Sequence, residues 1–481
     1  MKSKLLFGMY LLSLVACKST GGGKGANSEI MSSAEPCGNA LTIDKVTGEK
    51  VYQLTQQCVF NEKMHIVKLR ILSETYKKVL DDGCAARDSG YGHVIALSID
   101  GQDIENVGIK VRGNTSRCNA KRQFKFKFDE VEMYSQMNGN VSTVLINQNK
   151  GRKFFGLETI SVRASANDPS MIREKIASEG FEAANEISSS TVRGPAVYRL
   201  APAKFYVSFN RNQNEGPEGN FKNLMNGYYY DYMGYYSLAE NIDRVFIDSR
   251  FQVGKDKVPG YHLVAADLAK ASLDRQSYDP SGWSAEFFDG AKIKTKEQQA
   301  QLENELFKLM DLLKTETNDL SLEQNIDIES VVNYTAGAIF NGHWDSLLGN
   351  ANNDSLYFNG ANQKWQVFAW DLDNTLGANH SLFKSLLSDD IFNPAREHPN
   401  RLITTLFAPN RPAFRKKLMQ RLNGLAEGYY SEEQFNQKIN RLTDLLRSNT
   451  ESWEMPKDGE FDAIKSFVNQ RRKVIQSQIS Y

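Results

Sequence analysis

The sequence has no excess of charge of either sign, since 58 lysine and arginine residues balance 58 aspartate and glutamate residues. A balanced chain has no general electrostatic drive toward nucleic acid or anionic membranes, so we expect no nucleic-acid partner. The chain also has no C-x-x-C motif, no zinc-finger spacing and no internal repeat. With 481 residues, of which 41% are hydrophobic, it can bury a large core in two lobes or domains.

The N-terminal segment is typical of a signal peptide. Lys2 and Lys4 precede an apolar run over residues 5–16, which is too short to span a bilayer as a mature helix. The run ends in L-V-A-C at residues 14–17, which resembles the lipobox of bacterial lipoproteins. That resemblance implies cleavage before Cys17 and lipid on its thiol and its new amino group. An ordinary cleaved signal peptide with a coincidental cysteine is the alternative.

We therefore expect an exported lipoprotein, anchored to a membrane of the bacterial cell envelope through Cys17. Residues 1–17 would be the signal peptide, and residues 18–36 would be a flexible tether. Several acyl chains would hold the protein firmly, whereas a single chain would hold it only marginally. Lys18 stands where an inner-membrane retention signal would have aspartate, which favours the outer membrane or the cell surface.

The other four cysteines lie in the first quarter of the chain. An even number of cysteines in an exported chain predicts two disulfides, for which three connectivities are available. Proximity favours Cys37–Cys58 and Cys84–Cys118, and free buried thiols are the alternative. The bonds would staple an N-terminal region, in which residues 37–104 would form a β-rich extension.

The apolar pattern predicts an α+β protein with a β-rich part followed by a helical part. In Phe124–Phe128 phenylalanines alternate with lysines, so the two types lie on opposite faces of a strand. Asp168-Pro169 opens the one helix expected in the β-rich part, and residues 210–227 and 252–292 are predicted to be loops. The expected strands are 65–71, 94–99, 107–112, 124–128, 160–164 and 205–209, with a later β pair at 355–358 and 365–369; the expected later helices are 298–313, 328–340, 411–425, 431–446 and 461–479.

The β pair ends in A-W-D-L-D-N-T-L-G, residues 369–377, which carries Asp371 and Asp373. This segment mimics the first motif of haloacid-dehalogenase phosphatases, in which the first aspartate is the nucleophile and the second the acid/base. That fold needs further strands after the motif, and the residues that follow are predicted to be helical, so we disfavour it. A calcium-binding EF-hand loop fails because Thr375 and Leu376 occupy its fifth and sixth positions, which require a ligand and glycine.

The third interpretation is the metal site of a kinase, and the preceding residues favour it. Residues 343–350, H-W-D-S-L-L-G-N, have the H-x-D-x-x-x-x-N spacing of a kinase catalytic loop and follow a predicted helix. Asp371 follows Asp345 after a short β pair, where a metal-binding aspartate is expected. Phosphoryl transfer uses one carboxylate facing the acceptor hydroxyl, with carboxylate and amide oxygens holding Mg²⁺ against the phosphates. Taken alone, Asp345 would be assigned as a cap or turn residue.

An ordered set of motifs over residues 105–450 resembles the CotH (spore coat protein H) kinase-like family, a divergent branch of the protein-kinase fold. The resemblance implies two lobes, an N-terminal β-rich lobe over 105–250 and a mainly helical lobe over 251–481 that carries the catalytic and metal motifs. No single motif is decisive, but the ordered set is specific. The motifs are R-G-N-T-S-R at 112–117, D-P-S-M-I-R-E-K at 168–175, G-Y-Y-S-L-A-E-N-I-D at 234–243, W-D-S at 344–346, N-D-S-L-Y at 353–357 and W-D-L-D-N-T-L-G at 370–377.

The resemblance implies an ATP-dependent protein kinase that acts outside the cytoplasm on Ser or Thr of exported or surface proteins, with Mg²⁺ or Mn²⁺. Asp371 would bind the metal and Asn353 would be the second ligand, although general kinase spacing favours Asn350. Asp373 would ligate the metal or cap a turn. Asp345 would be the general base or would orient the acceptor.

Phosphate binding would fall to basic side chains, because the chain has no glycine-rich G-x-G-x-x-G loop. Lys127, or less favourably Lys125, would reach the phosphates, and Glu174 would pair with that lysine. Arg112 and Lys121 are further phosphate candidates, and the segment around Arg112 would replace the missing loop. A solvated strand face is the alternative for each lysine, and an exposed first-turn carboxylate is the alternative for Glu174.

A second function stays open, that of a catalytically silent CotH-fold surface lipoprotein that binds a protein or a glycan. It is motivated by the location, since the space outside the cytoplasm is poor in ATP. The set of Asp345, Asn353 and Asp371 favours chemistry, because clustered carboxylates are costly to keep without a function.

Overall fold

The fold combines a β-barrel, built from the N-terminal half of the chain, with a helical part that contains a second sheet. The computed structural model describes residues 41–43, 50–52, 56–86, 90–113, 115–129, 151–165, 167–187, 197–209, 223–225, 227–251, 260–265, 273–274, 278–279, 283–287, 295–315, 318–349, 353–378, 391–392, 400–457 and 459–479.

The first half of the described chain is mostly β-strand. Its strands are β1 (Leu41–Ile43), β2 (Lys50–Tyr52), β3 (His65–Arg70), β4 (Gly92–Ile99), β5 (Gln102–Arg112), β6 (Gln123–Lys127), β7 (Thr159–Arg163), β8 (Leu200–Ser208), β9 (Asn223–Met225) and β10 (Tyr228–Glu240). Its helices are α1 (Ser73–Ala85), α2 (Arg173–Glu186) and α3 (Arg244–Phe251).

Seven of these strands close into a barrel. Their order is β7-β6-β5-β4-β3-β8-β10, and β10 also pairs with β7, which closes the ring. The pairs are antiparallel except for β3 and β8, which are parallel. The domain boundary expected between residues 104 and 105 lies inside β5. The strands expected at 65–71 and 94–99, in a separate extension, therefore belong to the same barrel as the strands of the expected lobe.

The alternation predicted for Phe124–Phe128 is present in β6. Phe124 and Phe126 are fully buried inside the barrel, whereas Lys125 and Lys127 lie on its outer face and are half-buried. The same period of two applies to β7, where Ile160 and Val162 point inward. The outer face of β7 therefore carries Thr159, Ser161 and Arg163.

The expectation of one helix in the β-rich part was wrong, because α1 precedes β4. Its sequence has a weak apolar stripe, in which Tyr76 and Val79 are the buried large apolar residues. Exposed i,i+4 ion pairs, such as Lys77 with Asp81, support its outer face. A helix with so few apolar positions owes its stability to packing on the barrel, which periodicity alone does not reveal.

The second half of the described chain is mainly helical, as predicted. Its helices are α4 (Lys296–Thr315), α5 (Asp319–Asn325), α6 (Ile328–Asn341), α7 (Arg401–Leu406), α8 (Pro412–Glu427), α9 (Glu432–Asn449) and α10 (Glu460–Ile479). Its strands are β11 (Tyr261–Ala265), β12 (Trp283–Phe287), β13 (Asp354–Asn359) and β14 (Lys364–Ala369). Within the described ranges, no helix is both long and apolar enough to cross a membrane.

The predicted β pair, β13 and β14, belongs to a four-stranded antiparallel sheet of order β12-β11-β13-β14. The prediction of loops throughout 252–292 was therefore wrong for β11 and β12. The β11 strand pairs with both β12 and β13, so distant partners supply its hydrogen bonds and its short sequence gives little local signal.

Helix α2 packs on the helical part as well as on the barrel, although it follows the barrel strand β7 in the sequence. Its Ile176 and Phe181 belong to the core of the helical part. Gly337 on α6 lies directly under the Phe181 ring, so a side chain there would collide with it. This close approach holds α2, whose first turn carries Glu174, against α6.

Glu454, in the loop between α9 and α10, reaches from the helical part into the barrel. This buried carboxylate accepts hydrogen bonds from Lys121 Nζ at 3.1 Å, from the Tyr232 hydroxyl at 2.7 Å and from the Tyr235 amide. Gly234 makes room for it, with a left-handed backbone (φ +109°) and no side chain. Lys121 therefore ties the two parts of the fold together.

Cys84 and Cys118 form a disulfide with a Cα–Cα distance of 5.0 Å, as predicted, and join the end of α1 to the turn that follows β5. Cys58 is also disulfide-bonded, and Cys37, its predicted partner, lies outside the described residues.

We expect the variant with both Cys84→Ser and Cys118→Ser to be less stable by about 2–4 kcal/mol, because the bond closes a 34-residue loop in the unfolded chain. Urea unfolding measures the loss, and non-reducing mass mapping checks the pairing. The wild type reduced in the same urea series is the control. Quantitative alkylation of both thiols without reductant would contradict the prediction.

Candidate active site

The predicted catalytic loop begins where α6 ends. Gly342 ends the helix in a left-handed conformation (φ +58°), and a Cβ there would lie 2.6 Å from the ring of Phe467. His343 and Asp345 follow it and are buried. Burial lowers the pKa of His343 to about 4, although nearby Asp371 raises it, so the imidazole is neutral at pH 7.

Asn353 and Asp371 lie at the same end of the β13–β14 pair. Asp354 pairs with Ala369, so Asn353 and the residues after Ala369 leave the ladder together. Both Asn353 (φ +52°) and Asp371 (φ +58°) have a left-handed backbone, a conformation in which Asn and Asp are enriched. The Asn353 side-chain amide donates to Asp345 Oδ2 at 2.7 Å. This contact joins the predicted catalytic and metal-binding residues. Asn350, the alternative ligand, lies outside the described residues.

Arg163 connects the barrel, helix α2 and the aspartate loop, the segment 370–377 that follows β14. Its Nε lies 2.9 Å from Glu174 Oε1, and its Nη2 forms an ion pair with Asp371 Oδ1. The side chains of Arg163 and Glu174 are each 4% exposed, whereas that of Asp371 is 36% exposed. Asp371 is therefore the member of this group that a ligand can reach.

The electrostatics of the group follow from this pairing. Burial raises the pKa of Asp371, but the charge and hydrogen bond of Arg163, together with Arg112 and His343, outweigh it, so the pKa of Asp371 is below its ordinary value. Burial lowers the pKa of Arg163, but Glu174 and Asp371 raise it well above normal. Burial raises the pKa of Glu174, with only partial opposition from Arg163. At pH 7 the centre is an ionised pair of Arg163 and Asp371.

The lysines predicted to pair with Glu174 lie elsewhere. Lys127 is opposite Thr159, and Thr159 is four residues, or about 13 Å, along β7 from Arg163. The Nζ of Lys127 lies 3.8 Å from Asp129. Lys125 is opposite Ser161. The predicted pairing of Glu174 with a basic side chain on a strand is present, but its partner is Arg163, one strand further along the barrel.

Tyr198 links helix α2 to the aspartate loop. Its buried hydroxyl donates to Glu174 Oε1 and accepts from the Leu372 amide at 3.2 Å. Its ring lies 4.6 Å from that of Trp370. Burial raises the pKa of Tyr198 well above normal, with the negative charge of Glu174 adding to it, so the hydroxyl keeps its proton. Tyr198 thereby holds the backbone next to Asp371.

Arg112, one of the residues predicted to bind phosphate, lies beside this group. Its guanidinium is 5.0 Å from the centre of the Trp370 ring, and its Nη1 donates to Ser161 Oγ at 2.7 Å. Burial lowers the pKa of Arg112 to about 10, the like charge of Arg163 adds to this, and Asp371 opposes it. Arg112 is thus a charged guanidinium at pH 7.

Asp373 is buried, and in the described part of the chain it forms no ion pair with Arg163, unlike Asp371. Its carboxylate accepts from the side-chain amides of Asn167 at 3.2 Å and Asn374 at 3.1 Å. Burial raises the pKa of Asp373 well above normal, and the negative charges of Asp371 and Glu174 add to it. The structure thus surrounds Asp373 with amide donors that stabilise the loop.

The donor set suits a divalent cation that also takes ligands from its substrate. No group of three or more His, Cys, Asp or Glu side chains has metal-binding geometry in the described part of the chain. Mg²⁺ in kinases, however, takes one or two protein oxygens and completes its shell with phosphates and water. Glu174 Oε2 is buried and makes no hydrogen bond in the described part, and the carboxylates of Glu174, Asp371 and Asp373 concentrate negative charge. A bound cation would therefore offset the negative charge of these carboxylates.

Arg163, Tyr198 and Asn167 were not predicted from the sequence. A search for lysine passes over Arg163, although the alternation of residues 159–163 puts it on the outer face of its strand. Tyr198 lies just before β8, and Asn167 lies between β7 and α2. Neither residue has a motif of its own, so no signal in the sequence points to them.

Residues 109–475, most of the chain, match the family model described as CotH kinase protein. The chain belongs to the CotH kinase family. No curated protein matches the chain.

Membership of the CotH family confirms the resemblance read from the motifs and indicates a kinase-like function. The site has the arrangement known from protein kinases, in which a basic residue on a strand pairs with a helix glutamate beside a metal-binding aspartate. In this CotH family member the strand residue that pairs with Glu174 is an arginine, Arg163, whereas protein kinases have a lysine there.

Proposed function

We propose that this CotH family member transfers the γ-phosphoryl group of ATP to Ser or Thr hydroxyls of exported or surface proteins, with Mg²⁺ or Mn²⁺. The observation that carries the proposal is the buried pairing of Arg163 with Glu174 and Asp371. It brings a barrel strand, helix α2 and the aspartate loop to one point. A structural ion pair would not require Asp371 to stay 36% exposed, whereas a ligand site does.

Each residue then has a role that follows from its contacts. Asp371 and the amide oxygen of Asn353 would hold the cation, which when bound supplies positive charge to the transferring group. Asp345 would accept the proton of the acceptor hydroxyl, and Asn353 orients it through the 2.7 Å hydrogen bond. Glu174 and Tyr198 keep Arg163 and the loop in place.

The test is calorimetric titration of the full-length chain in detergent with Mg·ATP, beside ³²P transfer to a generic basic protein. We expect ATP binding that requires the metal, and acid-stable phosphate on the acceptor. Acid-labile phosphate on the chain itself would favour the phosphatase chemistry of an aspartyl nucleophile, and binding without any transfer would leave no support for a kinase.

The second candidate function is a silent module that binds a protein or a glycan. One observation favours it, namely that the guanidinium of Arg163 is already paired directly with Asp371. A cation must compete with this pair for the carboxylate. Failure of the full-length chain to bind Mg·ATP would support this function over the first.

We also propose that the protein is exported and anchored to the cell envelope by lipid on Cys17, which lies outside the described residues. We expect Cys17→Ser to release the chain from membranes, because the acyl chains are its anchor. Fractionation after palmitate labelling measures this. Equal membrane retention of the variant, or an unlabelled wild type, would contradict it.

A further inference from the structure

Arg112 makes no ion pair in the described part of the chain, although it lies beside the active site. Its one hydrogen bond there is to Ser161 Oγ, so most of its five N–H donors are left for another partner. The neighbouring carboxylates are engaged by Arg163. A guanidinium that is held in place without a carboxylate partner has the properties of an anion-binding group.

A chain of hydrogen bonds on the outer face of the barrel leads away from Arg112. Ser161 Oγ donates to Asn241 Oδ1 at 2.7 Å, and Asn241 Nδ2 donates to Thr159 Oγ1 at 3.0 Å. Thr159 Oγ1 donates to Asp243 Oδ2 at 2.7 Å. The second oxygen of Asp243 accepts from the amides of Val245 and Phe246 at the start of α3. The chain is thus anchored at a helix N-terminus.

The direction of this chain is set by its far end. The Asp243 carboxyl group accepts from two backbone amides, and while it is ionised Thr159 donates its single hydroxyl proton to it. Thr159 then accepts from Asn241, which turns the amide oxygen of Asn241 toward Ser161. Ser161 donates to that oxygen, so it offers only lone pairs to Arg112. Arg112 must therefore act as the donor to Ser161, which favours its charged form and fixes the orientation of its guanidinium group.

We infer that Arg112 is the anion-binding residue of this site and that Ser161, Asn241 and Thr159 are positioning residues that orient it. The inference rests on the proposed function for its ligand, the polyphosphate chain of a nucleotide. A fixed guanidinium on a strand would do here what a glycine-rich loop does elsewhere. It also explains why Asn241 and Asp243 occur in the segment that ends β10, at a distance from the catalytic residues in sequence.

The test measures binding of Mg·ATP and of inorganic tripolyphosphate to the full-length chain by calorimetry. Arg112→Gln is expected to weaken both by about 10²-fold, because it removes charge-assisted hydrogen bonds. Thr159→Val, which keeps the shape but removes a hydroxyl that is three hydrogen bonds away from Arg112, is expected to weaken both by about tenfold. Thr159→Ser should restore binding, which a merely structural loss would not do. Ser98→Ala on β4, another buried serine, is the matched control and should bind as the wild type.

Each outcome decides between the two proposals. If the wild type binds ATP and Thr159→Val binds it equally well, the positioning chain is wrong and the proposed function stands. If the wild type binds tripolyphosphate but not ATP and the variants lose that binding, the anion site stands and the kinase proposal fails. If it binds neither, both fail. Where Thr159→Val lowers the folded fraction in a thermal scan, Ser161→Ala gives the same comparison nearer to Arg112.

Discussion

Asp371→Ala is expected to weaken Mg·ATP binding and to lower phosphoryl transfer by on the order of 10²-fold or more. Asp371 is the exposed member of the central ion pair, and it lies at the end of the β pair together with Asn353. Stabilisation of charge is the main catalytic contribution in such reactions, so a lost metal ligand affects both binding and turnover. Calorimetric titration and ³²P transfer measure the two effects separately.

Two further variants separate the roles of the carboxylates. Asp345→Ala should spare nucleotide binding and reduce turnover, since Asp345 contacts Asn353 and faces the acceptor in the proposed reaction. Asp373→Ala is the matched control two residues away, and we expect a smaller loss, because its carboxylate accepts from Asn167 and Asn374. Equal Mg·ATP binding by wild type and Asp371→Ala would refute the metal assignment.

Arg163→Met is expected to destabilise the fold by about 3–5 kcal/mol and to abolish transfer. The methionine fills much of the same space, but it leaves Glu174, which is 4% exposed, without its ion-pair partner. An unpaired carboxylate in that place must lose its charge or admit water, and either change separates α2 from the aspartate loop. Urea unfolding measures the stability and ³²P transfer the activity.

The double variant with Arg163→Met and Glu174→Gln is the control. Removing the second charge should recover a large part of the stability, because the isolated buried carboxylate is gone, but it should not recover transfer. Arg163→Lys should be intermediate, since an ammonium group cannot present two nitrogens to two carboxylates as a guanidinium does. An Arg163→Met variant as stable as the wild type would mean that the pair contributes nothing to the fold.

The helices with strong apolar stripes were predicted within a few residues of their observed bounds. The region 328–340 is a case, since it is α6 with buried residues along its whole length and caps at Asp327 and Gly342. The β6 strand was predicted for the same reason, because its alternation of phenylalanine and lysine has one structural solution. Helix α1 and strand β11 were missed, because packing and pairing with distant residues supply what their own sequences lack.

The residues of the site also divide into those that were predicted from the sequence and those that were not. Asp345, Asn353 and Asp371 were predicted as site residues from spacing, because a kinase catalytic loop and metal loop are expected on either side of a short β pair. Glu174 and Arg112 were placed near them by motif, and the structure brings both there. Lys127 was not distinguished from Arg163, the residue that pairs with Glu174, since a basic residue on the outer face of either strand satisfies the same pattern. Lys121 precedes β6 and pairs with Glu454 instead.

The sequence by itself determined the class of the fold, the succession of a β-rich part and a helical part, and the polar residues of two loops, because those depend on periodicity and spacing along the chain. Only the tertiary structure decided that the β-rich half closes into a barrel and that Arg163 is the partner of Glu174 and Asp371. It also decided that Tyr198 bridges the two elements. Closure and pairing depend on register between strands that lie far apart in sequence, and one step of register moves a side chain to the other face.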